Sequence, residues 1–184
     1  MTRRLAQVNM GLRGMVDELD VEKVRGMIEE MKIDVLAVEE HWRGAEERMR
    51  TLLGIELTEG EKERTRDLLG EEFVWVERCR KDQKRGGVGV AVRKEFGSVE
   101  EITEWSSENV LWIKIDMRRG GVMFVGVVYL VGGGVCDEFV ASMERIAGAL
   151  AMLDREQNVV LMGDRNGRIG MWGVGLERRE VRRW

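Results

Sequence analysis

Four mostly apolar runs in this sequence end on oxygen-bearing side chains. Leu5 to Val8 closes on Asn9, Val35 to Val38 on Glu39 and Glu40, and Val122 to Val128 on Tyr129. Val159 to Met162 is followed by Asp164 and Asn166. A strand buried in a core has no structural need for a carboxylate or carboxamide at its exit, whereas a cleft above the sheet does. Oxygen ligands of this type are what a hard divalent cation takes. Each exit alone reads as a turn-former or a solvated strand end. Four of them on the strands of one core make a candidate cation site.

Other groups carry less. The single histidine, His41, follows Glu40; in an extended strand its side chain would point away from that of Glu40, a structural or solvent-facing placement. Cys79 and Cys136 lie far apart without paired spacing, which reads as two thiols in an intracellular, reducing compartment rather than a disulfide. Gly132-Gly133-Gly134 lacks the Lys-Ser/Thr of a phosphate-binding loop and reads as a turn. The basic stretch from Arg78 to Arg85 is either a track for a nucleic-acid backbone or an ordinary exposed hairpin tip. Trp75, Trp105 and Trp112 read as packing residues, and Arg178-Arg179 and Arg182-Arg183 as a solvated tail.

The periodicity of the chain supplies the elements that must hold these groups. Leu5 to Asn9 reads as a first strand. Asp20 then stands as an N-cap before Val21, Val24, Ile28 and Met31 at helical spacing. Asp34 to Glu40 reads as a second strand, parallel to the first, with both buried. Residues 43–70 are charged and predict a helix, a turn at Gly60 and a second helix. Phe73 to Val76 and Gly87 to Val92 read as strands, and Val110 to Met117 pairs with Val122 to Tyr129 across Arg118-Arg119-Gly120-Gly121. A helix follows with Phe139, Met143, Ile146, Leu150 and Leu153 on one face, and then the strand Val159 to Met162. This order predicts an α/β fold, a layered sandwich of packed sheets with helices outside. With no repeat and no linker, residues 1–184 read as one domain.

Taken in order, the strand ends also resemble a known family. Val8-Asn9-Met10-Gly11-Leu12-Arg13-Gly14 resembles the "WNVRGL" opening of retrotransposon endonucleases, and Asp34 to Trp42 their "DILALQETHL" strand, with Glu39 in place of its glutamine. Lys84 to Arg93 is similar to "KRGGVGVLVR", Phe124 to Tyr129 to "FVGVVYMP", and Gly163 to Gly170 to "GDFNARIG". The chain is thus similar to the endonuclease/exonuclease/phosphatase (DNase I-like) superfamily, in the branch carried by non-LTR retrotransposons. That resemblance implies two packed mixed sheets flanked by helices. It implies Glu40 as ligand of Mg²⁺ or Mn²⁺, Asn9 and Asn166 orienting the scissile phosphate, Tyr129 contacting it, and Asp164 acting on the attacking water or the leaving oxygen. It further implies DNA as partner, nicked to a 3′ hydroxyl, and a reverse transcriptase in the same parent polyprotein.

The sequence departs from that pattern in one weighty respect. The family closes its site with a Ser-Asp-His motif, and none is present. Absence of a positioned acid/base lowers rates by about 10²–10⁴-fold. The expectation is therefore a C-terminally truncated domain with weak or no activity, whose last strands are missing and leave apolar surface uncovered near 159–162. The alternatives are a non-catalytic relic that retains metal or nucleic-acid binding, and an abasic-site nuclease or phosphatase of the same superfamily. Lesser departures are Arg165 for phenylalanine and Val131 for proline.

Composition bounds these readings. Hydrophobic residues at 43% and charged residues at 35% describe a globular chain, and no apolar stretch has the length of a membrane span. A net charge of −4 argues against a non-specific nucleic-acid coat but not against a nuclease, whose metal supplies positive charge. Proline is absent from 184 residues, where usage of about 5% predicts roughly nine. Depleted residues have mostly C-rich codons and enriched ones G-rich codons, which points to nucleotide bias on the coding strand. The silent third positions of the gene are expected to show an excess of G over C; a balanced count there would refute this explanation.

Overall fold

The computed structural model describes residues 4–10, 18–40, 71–79, 87–130, 137–153 and 157–164. Within them the runs of β-branched residues form strands β1 (Leu5–Asn9), β2 (Val35–Glu39), β3 (Phe73–Arg78), β4 (Val88–Arg93), β5 (Gly97–Glu101), β6 (Val110–Met117), β7 (Val122–Tyr129) and β8 (Asn158–Asp164). Helix α1 (Glu18–Met31) lies between β1 and β2 in the chain, and α2 (Asp137–Met152) between β7 and β8.

The strands make two four-stranded mixed sheets, ordered β1-β2-β4-β3 and β5-β6-β7-β8. β1 and β2 are parallel, as are β7 and β8, while the remaining pairings are antiparallel. Parallel neighbours need a crossover connection, and each helix lies within one. The two sheets pack face to face through valine and isoleucine side chains, among them Val35, Val90, Ile113 and Val125, none of which reaches solvent. On the outer face of the first sheet α1 buries Val21, Val24 and Ile28 against Leu36 and Val38. On the outer face of the second, α2 buries Ile146 and Ala149 against Val110 and Trp112. The layers therefore run helix, sheet, sheet, helix. This is an α/β sandwich of two mixed sheets, as the sequence predicts.

Large rings over glycines tighten both outer faces. Trp112 lies opposite Gly126, where an added Cβ would come within 3.0 Å of its ring, and the ring of Trp75 covers Gly89 in the same way. Glycine in a strand commonly marks such a close approach. Trp105 meets Trp112 edge-on at 6.0 Å, so all three tryptophans are packing residues.

Several expectations need correction. β1 is an edge strand and only partly buried, unlike β2, all five residues of which are buried. The helix α1 starts at Glu18, so Asp20 lies inside its first turn rather than capping it, and Met31 is exposed. On α2 the buried line is Phe139, Ser142, Ile146, Ala149 and Leu153, while Met143 and Leu150 are each 43% exposed. Small Ser142 and Ala149 lie on the buried side of the helix together with Ile146. β5 was not foreseen: its sequence GSVEE is short and polar, as befits an edge strand. Arg78 is not part of a basic tip but the last residue of β3, ion-paired to Glu101 of β5. Residues Val159 to Met162 of the edge strand β8 are only partly buried. The helices expected in 43–70, the basic stretch beyond Cys79, Gly132 to Gly134, Cys136 and the tail from Arg165 lie outside the described residues. Among the described residues no helix is long and apolar enough to cross a membrane.

The face of α2 can be tested directly. Ile146→Ala is expected to cost about 2–5 kcal/mol in urea denaturation, and Met143→Ala no more than about 0.5 kcal/mol. Equal losses would mean that the helix packs through its other face.

Candidate functional site

Parallel pairing sets where polar groups gather. Because β1 and β2 run the same way in register, Asn9 stands opposite Glu39 at their common exit, with Glu40 one residue beyond. Because β7 and β8 also run together, Tyr129 stands opposite Asp164 at theirs. A hydrogen bond from the Gly163 N–H of β8 to Gln7 Oε1 of β1, 3.0 Å long, shows that the two exits lie at the same end of the sandwich. The structure thus brings together the strand exits carrying Asn9, Glu40, Tyr129 and Asp164. Asn166 and His41 lie outside the described residues.

At the first exit the Asn9 carboxamide Nδ2 lies 3.4 Å from Glu40 Oε1, a long contact near the limit for a hydrogen bond. Asn9 is exposed and Glu40 half-buried. The backbone of Glu40 is left-handed, with φ of 54°, a conformation that disfavours any residue with a Cβ. It is held there by its N–H donating to the Gly87 carbonyl, 2.9 Å away, while the Met10 N–H bonds the Glu39 carbonyl at 3.0 Å. The strand therefore stops at Glu39, and the alternation used to turn His41 away from Glu40 does not extend past it. At the second exit Tyr129 packs against the core between the sheets, and its N–H donates to the Asn109 carbonyl. Gly163, with φ of 147°, is a position where an added Cβ would collide with the Val128 carbonyl.

Two groups near these exits, Gln7 and Asn109, escaped the sequence reading, and the burial of Glu39 was not foreseen. Glu39 is fully buried, a carboxylate on the same face of β2 as the core residues Val35 and Ala37. Gln7 occupies the corresponding face of β1, between Leu5 and Asn9, and its Nε2 lies 3.5 Å from Glu39 Oε2. At Glu39 the available signal was a polar residue at an inward position of the otherwise apolar β2; Gln7 is exposed in the middle of β1 and its pattern gave none. Asn109 is only 8% exposed, and its Oδ1 has no hydrogen-bond partner among the described residues. It sits at the entry of an antiparallel strand, so a search of strand exits passes over it.

Among the described residues no three His, Cys, Asp or Glu side chains converge to cage a metal ion. What the first exit offers is one carboxylate, Glu40, with a carboxamide beside it. That set suits a cation such as Mg²⁺, which keeps several waters and takes one or two carboxylates together with phosphate oxygens.

Comparison of the sequence with family profiles and with curated proteins gives no match. Comparison of the fold does. The chain is similar to the "endonuclease domain of TRAS1, a telomere-specific non-LTR retrotransposon", with a TM-score of 0.60 at 10% identity over 91% of this chain and 60% of that one. It is similar to the AP endonuclease LMAP from Leishmania major, with a TM-score of 0.58 at 14% identity over 87% of this chain and 53% of that one. A third is D. rerio TDP2 complexed with single-strand DNA product, with a TM-score of 0.56 at 13% identity over 89% and 60%. The chain therefore shares the fold of these structures, a DNase I-like α/β sandwich. It spans about 60% of the length of the first of these structures.

The left-handed backbone at Glu40 yields a stability test. Glycine adopts that conformation without strain, so Glu40→Gly is expected to be more stable than Glu40→Ala by about 1 kcal/mol. Urea midpoints that put the alanine variant level with or above the glycine one would show that residue 40 is not held left-handed.

Proposed function

We propose that this chain is a divalent-metal-dependent phosphodiesterase domain that nicks DNA, of the type found in retroelements. The observation that carries the reading is the gathering of Asn9 and Glu40 from one sheet, and of the exits of β7 and β8 from the other, at a single end of a DNase I-like sandwich. Mg²⁺ or Mn²⁺ bound there would supply Lewis-acid polarisation of a phosphate oxygen. Glu40 would hold the cation, with Asn9 beside it to orient the scissile phosphate by hydrogen bonds. Tyr129 would contact the phosphate from the facing sheet, and Asn166 would orient it further. Asp164 would orient or activate the water that attacks phosphorus, or assist the departing oxygen. DNA as substrate is supported by the retrotransposon and abasic-site endonucleases of the same fold, and by the neighbour crystallised with a DNA product. The retroelement type rests on the motif resemblance, with a reverse transcriptase as companion in the parent polyprotein and a reducing intracellular compartment as its setting.

A second reading is a non-catalytic domain with residual metal or nucleic-acid binding. It is favoured by the absence of a Ser-Asp-His segment from the 184 residues and by a single histidine adjoining the proposed metal ligand. These 184 residues acting without a positioned acid/base are expected to turn over about 10²–10⁴-fold more slowly than an endonuclease that has one.

Nicking of supercoiled plasmid in Mg²⁺ or Mn²⁺ separates the two. Slow nicking that disappears with EDTA and in both Glu40→Ala and Asp164→Ala is expected. No nicking, or nicking that both variants retain, would leave the fold without the activity.

A further inference from the structure

The exits of the two sheets share no backbone ladder, so the distance between them depends on side chains. Gln7 spans that gap: its Oε1 accepts from the Gly163 N–H at 3.0 Å, and its Nε2 faces Glu39 Oε2 at 3.5 Å. The partners fix the orientation of the amide. Reversing it would turn the oxygen toward a carboxylate and the NH₂ group toward an N–H. A carboxylate or an apolar side chain at this position could not serve both. The N–H that Gln7 takes lies on the outward edge of β8, one residue before Asp164, and Gln7 itself is two residues before Asn9 on the same face of β1. At the opposite edge of the sandwich the Arg78–Glu101 ion pair closes the gap between β3 and β5.

We propose that Gln7 is a positioning residue that fixes the end of β8 carrying Asp164 relative to Asn9 and Glu40. The inference rests on the function proposed above and extends it to a residue that touches neither metal nor phosphate. Without Gln7 the Gly163 N–H loses its acceptor, and the end of an edge strand is released. Displacement of reacting groups by about 1 Å is enough to lower a rate on the order of 10²-fold.

The test uses Gln7→Ala, Gln7→Glu, and the swapped pair Gln7→Glu with Glu39→Gln. The last keeps an acceptor for Gly163, as Gln7→Glu alone does, and restores an amide-to-carboxylate contact with the partners exchanged. Three quantities are measured: nicking turnover at saturating Mn²⁺, Mn²⁺ affinity from the free-ion paramagnetic resonance signal, and hydrogen exchange of the Gly163 amide. Gln7→Ala is expected to lower turnover roughly 10- to 100-fold and to speed Gly163 exchange about tenfold or more. Mn²⁺ affinity should stay within about twofold, because the cation's ligands are intact. Gln7→Glu should lose turnover likewise, and the swapped pair should recover most of it. Unchanged Gly163 exchange in Gln7→Ala overturns the proposal, as does unchanged turnover, or failure of the swap to restore what Gln7→Glu loses. A wild-type chain that does not nick at all sinks the proposed activity instead. The exchange of Gly163 in Gln7→Ala then decides the strut alone.

Discussion

The structure depends on one dry seam, the interface between two sheets lined by valine and isoleucine. Burial of apolar surface contributes roughly 25 cal/mol per Å², and side chains such as Val35, Val90, Ile113 and Val125 are wholly removed from water there. The seam sets the direction of every strand. A residue of β1, β2, β7 or β8 on the seam face points toward the other sheet. A polar group at the end of that face overlooks the cleft. Asn9 continues the line of Leu5 and Gln7, and Tyr129 that of Val125 and Val127. The candidate site is the place where the seam runs out of apolar residues.

Much of this was legible in the sequence because period two and period three-and-a-half leave different traces. The strands Val35–Glu39, Val110–Met117 and Val122–Tyr129 announce themselves through β-branched runs bounded by turn residues. β5 did not, since an edge strand of five residues buries too little to pattern its sequence. The face of α2 was misread for a related reason: hydrophobicity marked Met143 and Leu150, but close packing on the sheet selected Ser142 and Ala149. Size, not only polarity, decides which side of a helix turns inward when the opposing surface is already crowded by Trp112.

The site itself was legible one strand end at a time, and its cross-connections were not. Asn9, Glu40, Tyr129 and Asp164 could be picked from the exits of apolar runs. Nothing in a linear sequence joins Gln7 to Gly163. Nor does it reveal the left-handed turn that halts β2 at Glu39 and presents Glu40 beyond the end of the ladder. Glu39 is the sharper case. Its neighbour in sequence is half-buried beside Asn9, while Glu39 is fully buried with an amide facing its carboxylate. Two adjacent glutamates thus differ in environment because the ladder ends between them: Glu39 keeps the inward face of β2, while the left-handed turn carries Glu40 past its end.

The bond between Gln7 and Gly163 joins residues 156 positions apart. Loop-closure entropy rises with the logarithm of separation, by about 0.6 kcal/mol for each doubling. The hairpins β3-β4 and β6-β7 need only local closures, whereas the β1–β8 edge must gather the two ends of the described chain. The end of the sandwich that carries the candidate site is therefore also where, among the described residues, contacts join the most distant parts of the chain, the feature that slows folding. During synthesis its two halves enter solution separately, the β1–β2 half before the β7–β8 half. An incompletely made chain can carry Asn9 and Glu40 long before it carries Asp164.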